Sequence, residues 1–233
     1  MISARHATRS EVVATLRMEQ ARIAYGRRVL IDRLNFEIRA GEAFVLFGPN
    51  GSGKTSLLRL AAGIARPVTG QVRSNFRMIG YVPQVQHVDR QFPVSVRDLL
   101  RMSFVGVRYL TRSGLRKERE RKIEDALDVV GLGGRGHLLL RSCSGGELQR
   151  AMIGRALALG PDLLILDEPT GSLDVAGKRD VFVLLENLRR QHGVAILMTS
   201  HETIAQIDLV HRRMGIEAGR VVLEDRMQES RDD

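Results

Sequence analysis

The chain has 233 residues, of which 36 are Lys or Arg and 27 are Asp or Glu, for a net charge of +9, and 43% of it is hydrophobic. That length suits one large domain, or a domain carrying a subdomain. No apolar run reaches the roughly 18 residues of a membrane span, and residues 1–17 mix charge with short side chains rather than forming the apolar stretch of a signal peptide.

A single cysteine, Cys143, excludes an internal disulfide and fits a reducing compartment, so the sequence predicts a cytoplasmic protein. The positive balance is compatible with nucleic acid, with an anionic membrane surface, or with solubility alone. Lysine is rare: Lys54, Lys117, Lys122 and Lys178 are the only four.

Residues 1–17 read as a leader with little order. Met18 to Tyr25 alternates like a strand and breaks at Gly26; Leu34 to Arg39 alternates again and ends at Ala40-Gly41. The two are expected as antiparallel strands. Tyr25, at the turn, is either a rim aromatic or a platform for a purine ring.

Ala43-Phe44-Val45-Leu46-Phe47 is a short apolar run, as in a buried strand. Gly48, Pro49, Asn50, Gly51, Ser52, Gly53, Lys54 and Thr55 follow and match G-x-x-x-x-G-K-T/S, the phosphate-binding loop. Its glycines let backbone N–H groups approach phosphate oxygens closely. Lys54 supplies a compact, mobile charge rather than a fork, Thr55 offers a hydroxyl to Mg²⁺, and the helix beginning near Ser56 aims its positive end at the anion.

Gln71–Arg73 and Met78–Val82 read as a short pair of strands, and Gln84 lies just past the second, where open α/β sheets place ligand-binding groups. Residues 85–142 change character. Val94–Phe104 and Leu115–Val130 carry helical spacing, with Ile123, Ala126, Leu127 and Val130 on one face. The region reads as a helical subdomain inserted in an α/β core, spanning about residues 85–158. Gly131–Gly136 closes the second helix as a turn. Ser144-Gly145-Gly146 then opens a helix running to Leu159. It is an ordinary N-cap or a second anion site.

Leu163-Leu164-Ile165-Leu166 is wholly apolar and ends in Asp167-Glu168. Such a strand should be central and lie beside the phosphate-loop strand. There Asp167 can hold magnesium through water, and Glu168 can polarise an attacking water. A helix is expected over Val175–His192, a buried strand over Val194–Thr199, and a hairpin over Leu209–Ile216 and Arg220–Glu224. His201 follows the buried strand, on the same edge as Asp167 and Glu168. Neither C-x-x-C nor H-E-x-x-H occurs, so no structural zinc site is expected.

Taken together these motifs resemble the ATP-binding-cassette (ABC) ATPases over about Met18 to Glu224, with residues 225–233 left as a polar tail. The phosphate loop, Gln84 after Gly80-Tyr81-Val82-Pro83, Ser144-Gly145-Gly146, Leu163–Glu168, Ser172-Leu173-Asp174 and His201 stand in the family's order. The resemblance implies a P-loop NTPase α/β fold with a mainly parallel sheet, an N-terminal antiparallel β subdomain and an inserted α-helical subdomain.

It also implies ATP and Mg²⁺ as ligands. Glu168, His201 and Gln84 become catalytic, Tyr25 and Asp174 nucleotide-contacting, and Thr55, Gln84 and Asp167 metal-holding. The expected assembly is a head-to-tail homodimer in which Ser144-Gly145-Gly146 of one chain covers the ATP of the other. It would sit at the cytoplasmic face of the cell membrane with a permease and a substrate-binding protein, and without nucleic acid.

Tyr81–Gln84 followed by Val88–Val96 is similar to the subgroup importing zinc, manganese or related metals. A different cargo, or a non-transport cassette acting on nucleic acid or ribosomes, are the competing expectations. Two departures stand out. Cys143 and Glu147 occupy places where the family usually carries Leu and Gln; with Ser144-Gly145-Gly146 intact, the resemblance implies function kept with an altered dimer contact. A carboxylate at 147 would weaken closure if it pointed inward and be harmless if it pointed outward.

Overall fold

A computed structural model of the chain describes residues 13–85, 93–105, 115–200, 212–217 and 220–224. Two sheets organise it. Strands β1 (Thr15–Tyr25), β2 (Arg28–Arg39) and β4 (Thr69–Ser74) form an antiparallel sheet in the order β2-β1-β4. Strands β3 (Ala43–Phe47), β5 (Ile79–Val82), β6 (Leu163–Leu166), β7 (Ala195–Thr199), β8 (Arg212–Glu217) and β9 (Arg220–Glu224) form the second, ordered β5-β6-β7-β3-β8-β9 and parallel except at the β8–β9 edge.

Five α-helices stand among the described residues: α1 (Lys54–Ala61), α2 (Val96–Arg101), α3 (Arg116–Val129), α4 (Gly145–Leu157) and α5 (Val175–His192). Among the described residues no helix is long and apolar enough to cross a membrane.

Several boundaries differ from the expectations. β1 begins at Thr15, inside the expected leader, because Leu16 continues the strand's alternation and is buried. The strands around 71 and 80 do not pair with each other: β4 joins β1, whereas β5 joins β6. The strand ending in Asp167 is central, but it does not adjoin the phosphate-loop strand. β7 lies between them, as the wholly buried Ala195–Thr199 segment requires.

The parallel strands explain their own composition. Alternate residues point to opposite faces, and both faces are covered. Val45, Leu164, Leu166, Ile196 and Met198 enter one core with α2, α3, α4 and α5. Phe44, Leu46, Leu163, Ile165 and Leu197 enter the other, with α1 and the antiparallel sheet. No polar alternation survives in these runs because there is no solvent-facing side.

The helices between residues 96 and 157 hold together by apolar contact and by charge. Arg101 pairs with Glu120, and Arg97 with Glu124, joining α2 to α3. The Arg101 guanidinium, by hydrogen bonding, holds the Glu120 carboxyl below its ordinary pKa.

Phe44 sits at the second core's centre, edge-on to Phe36 with ring centroids 4.7 Å apart and the Arg212 guanidinium 5.2 Å from its centroid. Phe44→Ala is expected to cost about 3–5 kcal/mol, read as a lowered denaturant midpoint at unchanged slope. A loss below about 1 kcal/mol would contradict the packing described.

Candidate functional site

β3 delivers the phosphate-binding loop. Its last buried residues pass into Gly48, whose φ of 146° lies where L side chains are strained; a Cβ there would stand 2.4 Å from the carbonyl oxygen of Ile216. Only glycine lets β8 approach so closely. Gly53 sits at the N-cap of α1 with φ 109°, no side chain caps the helix, and its first turn carries no acidic residue. No carboxylate of α1 itself therefore neutralises the positive end of the helix.

Two side chains make the loop's purpose legible. Lys54 is 6% exposed and folds back over the loop, its Nζ donating to the carbonyls of Gly48 at 2.7 Å and Pro49 at 3.0 Å. Burial pushes its ammonium pKa down, opposed by the carboxylates of Glu168 and Asp167. The Oγ of Ser52 is buried and has no hydrogen-bond partner. Such atoms are costly unless a ligand or water completes them. An orphaned hydroxyl, an ammonium held by carbonyls and an uncapped helix start together fit a bound polyphosphate.

Asp167 and Glu168 follow β6. Parallel pairing sets Leu166 beside Met198, so Asp167 falls level with Thr199 at the end of β7. Asp167 is buried, its N–H donates to the Val82 carbonyl at 2.9 Å, and the Thr199 hydroxyl donates to its Oδ1 at 3.0 Å. Glu168 has φ 50°, although it precedes Pro169, a context that favours φ near about −120°. Its N–H donates to Thr199 Oγ1 at 2.7 Å. Left-handed conformations in ordinary residues concentrate at working sites.

Gln84 lies two residues past β5, whose Val82 pairs with Leu166. Thr55 is half-buried in the first turn of α1. Tyr25 ends β1 opposite Arg28. His201 lies outside the described residues, as do residues 86–92 of the metal-importer-like stretch.

No described group of three or more His, Cys, Asp or Glu could cage a metal. The oxygens of Asp167 and Thr55 instead suit Mg²⁺, which keeps waters and shares its shell with phosphate. Sequence reasoning missed Thr199. The available signal was a lone hydroxyl closing an otherwise apolar strand, level with the acidic pair.

Ser144-Gly145-Gly146 stands elsewhere. α4 packs on α2, α3, α5 and β5, whereas α1 packs on β1, β6 and β7. Ser144 caps α4 in a complete capping box: its Oγ accepts from the N–H of Glu147 at 3.2 Å, and the Glu147 carboxylate accepts from the N–H of Ser144 at 2.8 Å. Glu147 also pairs with Arg135 on the Gly131–Gly136 turn. Its carboxylate is thus folded back against its own helix. Asp174 caps α5 with its side chain alone, its Oδ1 accepting from the N–H of Gly177 at 2.8 Å.

The Ser144 N–H bond is the main cause holding Glu147 below its ordinary pKa. Gln also completes a capping box, so Glu147→Gln should stay within about 0.5 kcal/mol of the parent, and Glu147→Ala should cost about 1 kcal/mol near neutral pH. With the folded pKa depressed, the charge-dependent part is full above the unfolded value of about 4.3 and is lost as pH falls through the folded value. The gap between parent and Glu147→Ala, followed by urea denaturation, should therefore narrow in acid. A gap that widens would contradict this role.

Known proteins similar to this chain share one family. The ABC transporter family model matches residues 31–171. The zinc import ATP-binding protein ZnuC of Paramagnetospirillum magneticum is 39% identical over 193 residues, covering 82% of this chain and 69% of that one. ZnuC of Pseudomonas savastanoi is 35% identical over 190 residues, covering 81% and 67%. Among solved structures, the ADP conformation of an ATP-binding cassette from an ABC transporter superposes with a TM-score of 0.80, covering 93% of this chain and 92% of that one; at 20% identity the likeness concerns the fold. The chain belongs to the ABC transporter family, as an ATP-binding subunit that hydrolyses ATP.

Proposed function

We propose that this ATPase drives a separate membrane permease importing a divalent metal ion of the zinc or manganese type. It works as an ATP-bound homodimer at the cytoplasmic face of the membrane, with a substrate-binding protein on the far side. The observation that carries the ATP-hydrolysing part of the reading is the meeting, at one sheet edge, of Lys54 with the buried Asp167 and the half-buried Glu168. The curated relatives named for zinc import support the cargo. They also favour transport over a nucleic-acid role, which the basic charge alone left open.

Within the site, the N–H groups of Gly48–Thr55 and the start of α1 bind the phosphates, and Lys54 leaves its two carbonyls for the β- and γ-phosphate oxygens. Thr55, Asp167 and Gln84 would hold Mg²⁺; when bound, it neutralises charge building on those oxygens. Glu168 orients and deprotonates the attacking water. His201 contacts the γ-phosphate, and Tyr25 stacks on the adenine.

Ser144-Gly145-Gly146 and Asp174 serve the partner's nucleotide. Two copies related by a two-fold axis then close around two ATP molecules, and hydrolysis reopens the pair. Residues 18–224 act as one cassette, and the helical segment, about 85–158, faces the permease.

Glu168→Gln keeps the shape and removes the base. Turnover should fall by at least about 100-fold while ATP-bound dimers accumulate on size-exclusion chromatography. A mutant that remains active and monomeric would defeat the proposal. Deleting the chain from cells should lower cellular zinc or manganese, and unchanged metal content would remove the cargo assignment alone.

A further inference from the structure

We propose that Thr199 is a positioning residue for ATP hydrolysis, its one hydroxyl setting both the carboxylate of Asp167 and the main chain of Glu168. The inference rests on the roles given above to those two residues.

Thr199 is fully buried at the end of β7. It lies in register with Leu46 of β3 on one side, and level with Asp167 after β6 on the other. Ser200 continues the link, its N–H donating to the Leu46 carbonyl at 3.0 Å. The strand that separates the phosphate-loop strand from the acidic strand thus ends in a group that reaches the acids.

A hydroxyl donates once and accepts as well. Thr199 spends its proton on Asp167 Oδ1 and accepts the N–H of Glu168. The first bond fixes the rotation of the Asp167 carboxylate and leaves Oδ2 outside the pair. The second acts where the backbone needs holding, because Glu168 has φ 50° immediately before Pro169. The same turn is closed by Asp167 N–H to the Val82 carbonyl and by Gly171 N–H to the Glu168 carbonyl at 3.3 Å. Its direction sets where the Glu168 carboxylate stands. β-Branching restricts the Thr199 side chain to few rotamers, so the hydroxyl is pre-aimed. No other hydroxyl-bearing residue lies in β3, β6 or β7.

Valine has threonine's shape and cannot make either bond. Thr199→Val should therefore cut ATP turnover by about 10- to 100-fold, as loss of outer-shell support does elsewhere. Binding of a fluorescent ATP analogue in EDTA should stay within about threefold of the parent, since the phosphate loop is untouched. The gain in affinity on adding Mg²⁺ should shrink. Thr199→Ser, which restores the hydroxyl, should return turnover to within about fivefold of the parent.

Three results would overturn the assignment: Thr199→Val turning over within threefold of the parent, an equal loss of nucleotide binding in EDTA, or a serine variant as impaired as the valine one. Glu168→Gln measured alongside separates the two layers. If it is inactive while Thr199→Val is normal, only the inference fails; if it is fully active, the role of Glu168 falls and this inference with it.

Discussion

The register of three parallel strands governs the molecule. β3, β7 and β6 lie side by side, and their carboxyl ends release Gly48, Thr199 and Asp167 at one edge. A shift of one residue in any strand would turn its buried set toward the wrong core, and would also carry the loop or the acids away from the edge. Packing and chemistry are therefore locked by the same pairing. The ligand edge of an open α/β sheet is where such a site is expected; here the side chains that fill two cores set its alignment.

The rest of the fold supports that edge from two sides. α1 and the antiparallel sheet press on one face and bury Phe44 and Leu46, the residues that anchor the strand feeding the phosphate loop. The helices from α2 to α5 press on the other and bury Leu166 and Met198, immediately before Asp167 and Thr199. Helix starts carry the remaining polar architecture. α1 is uncapped and thus open to an anion, whereas α4 and α5 are capped by Ser144 with Glu147 and by Asp174. An unsatisfied helix start beside an orphaned Ser52 hydroxyl is a binding site held ready at some cost in stability.

Much of this was legible in the sequence because it rests on local patterns. Glycine spacing announced the phosphate loop, apolar runs announced the buried strands, and Val175–His192 emerged with the bounds that Asp174 and Gly193 suggest. What escaped depends on pairing between distant segments. Nothing local says that Ala195–Thr199 inserts between the strands ending at Phe47 and Leu166, so the acidic strand was expected one place too near. The role of Thr199 was hidden for the same reason. The left-handed Glu168 ran against its neighbour Pro169, whose local preference is the opposite. Glu147, a departure from the family pattern, has its carboxylate held by hydrogen bonds local to the chain, a geometry that the residue's identity alone did not reveal.

In the proposed assembly the edge built by β3, β6 and β7 is half of an ATP site, and Ser144–Gly146 of a second copy completes it. The direct measurement uses an ATP analogue bearing a photoreactive group on its γ-phosphate, with a Lys54→Ala chain as acceptor and a tagged parent chain as donor. Label is expected on the peptide containing Ser144–Gly146 of the Lys54→Ala chain only when the parent chain is present. Label at that peptide in the Lys54→Ala chain alone, or none in the mixture, would contradict it.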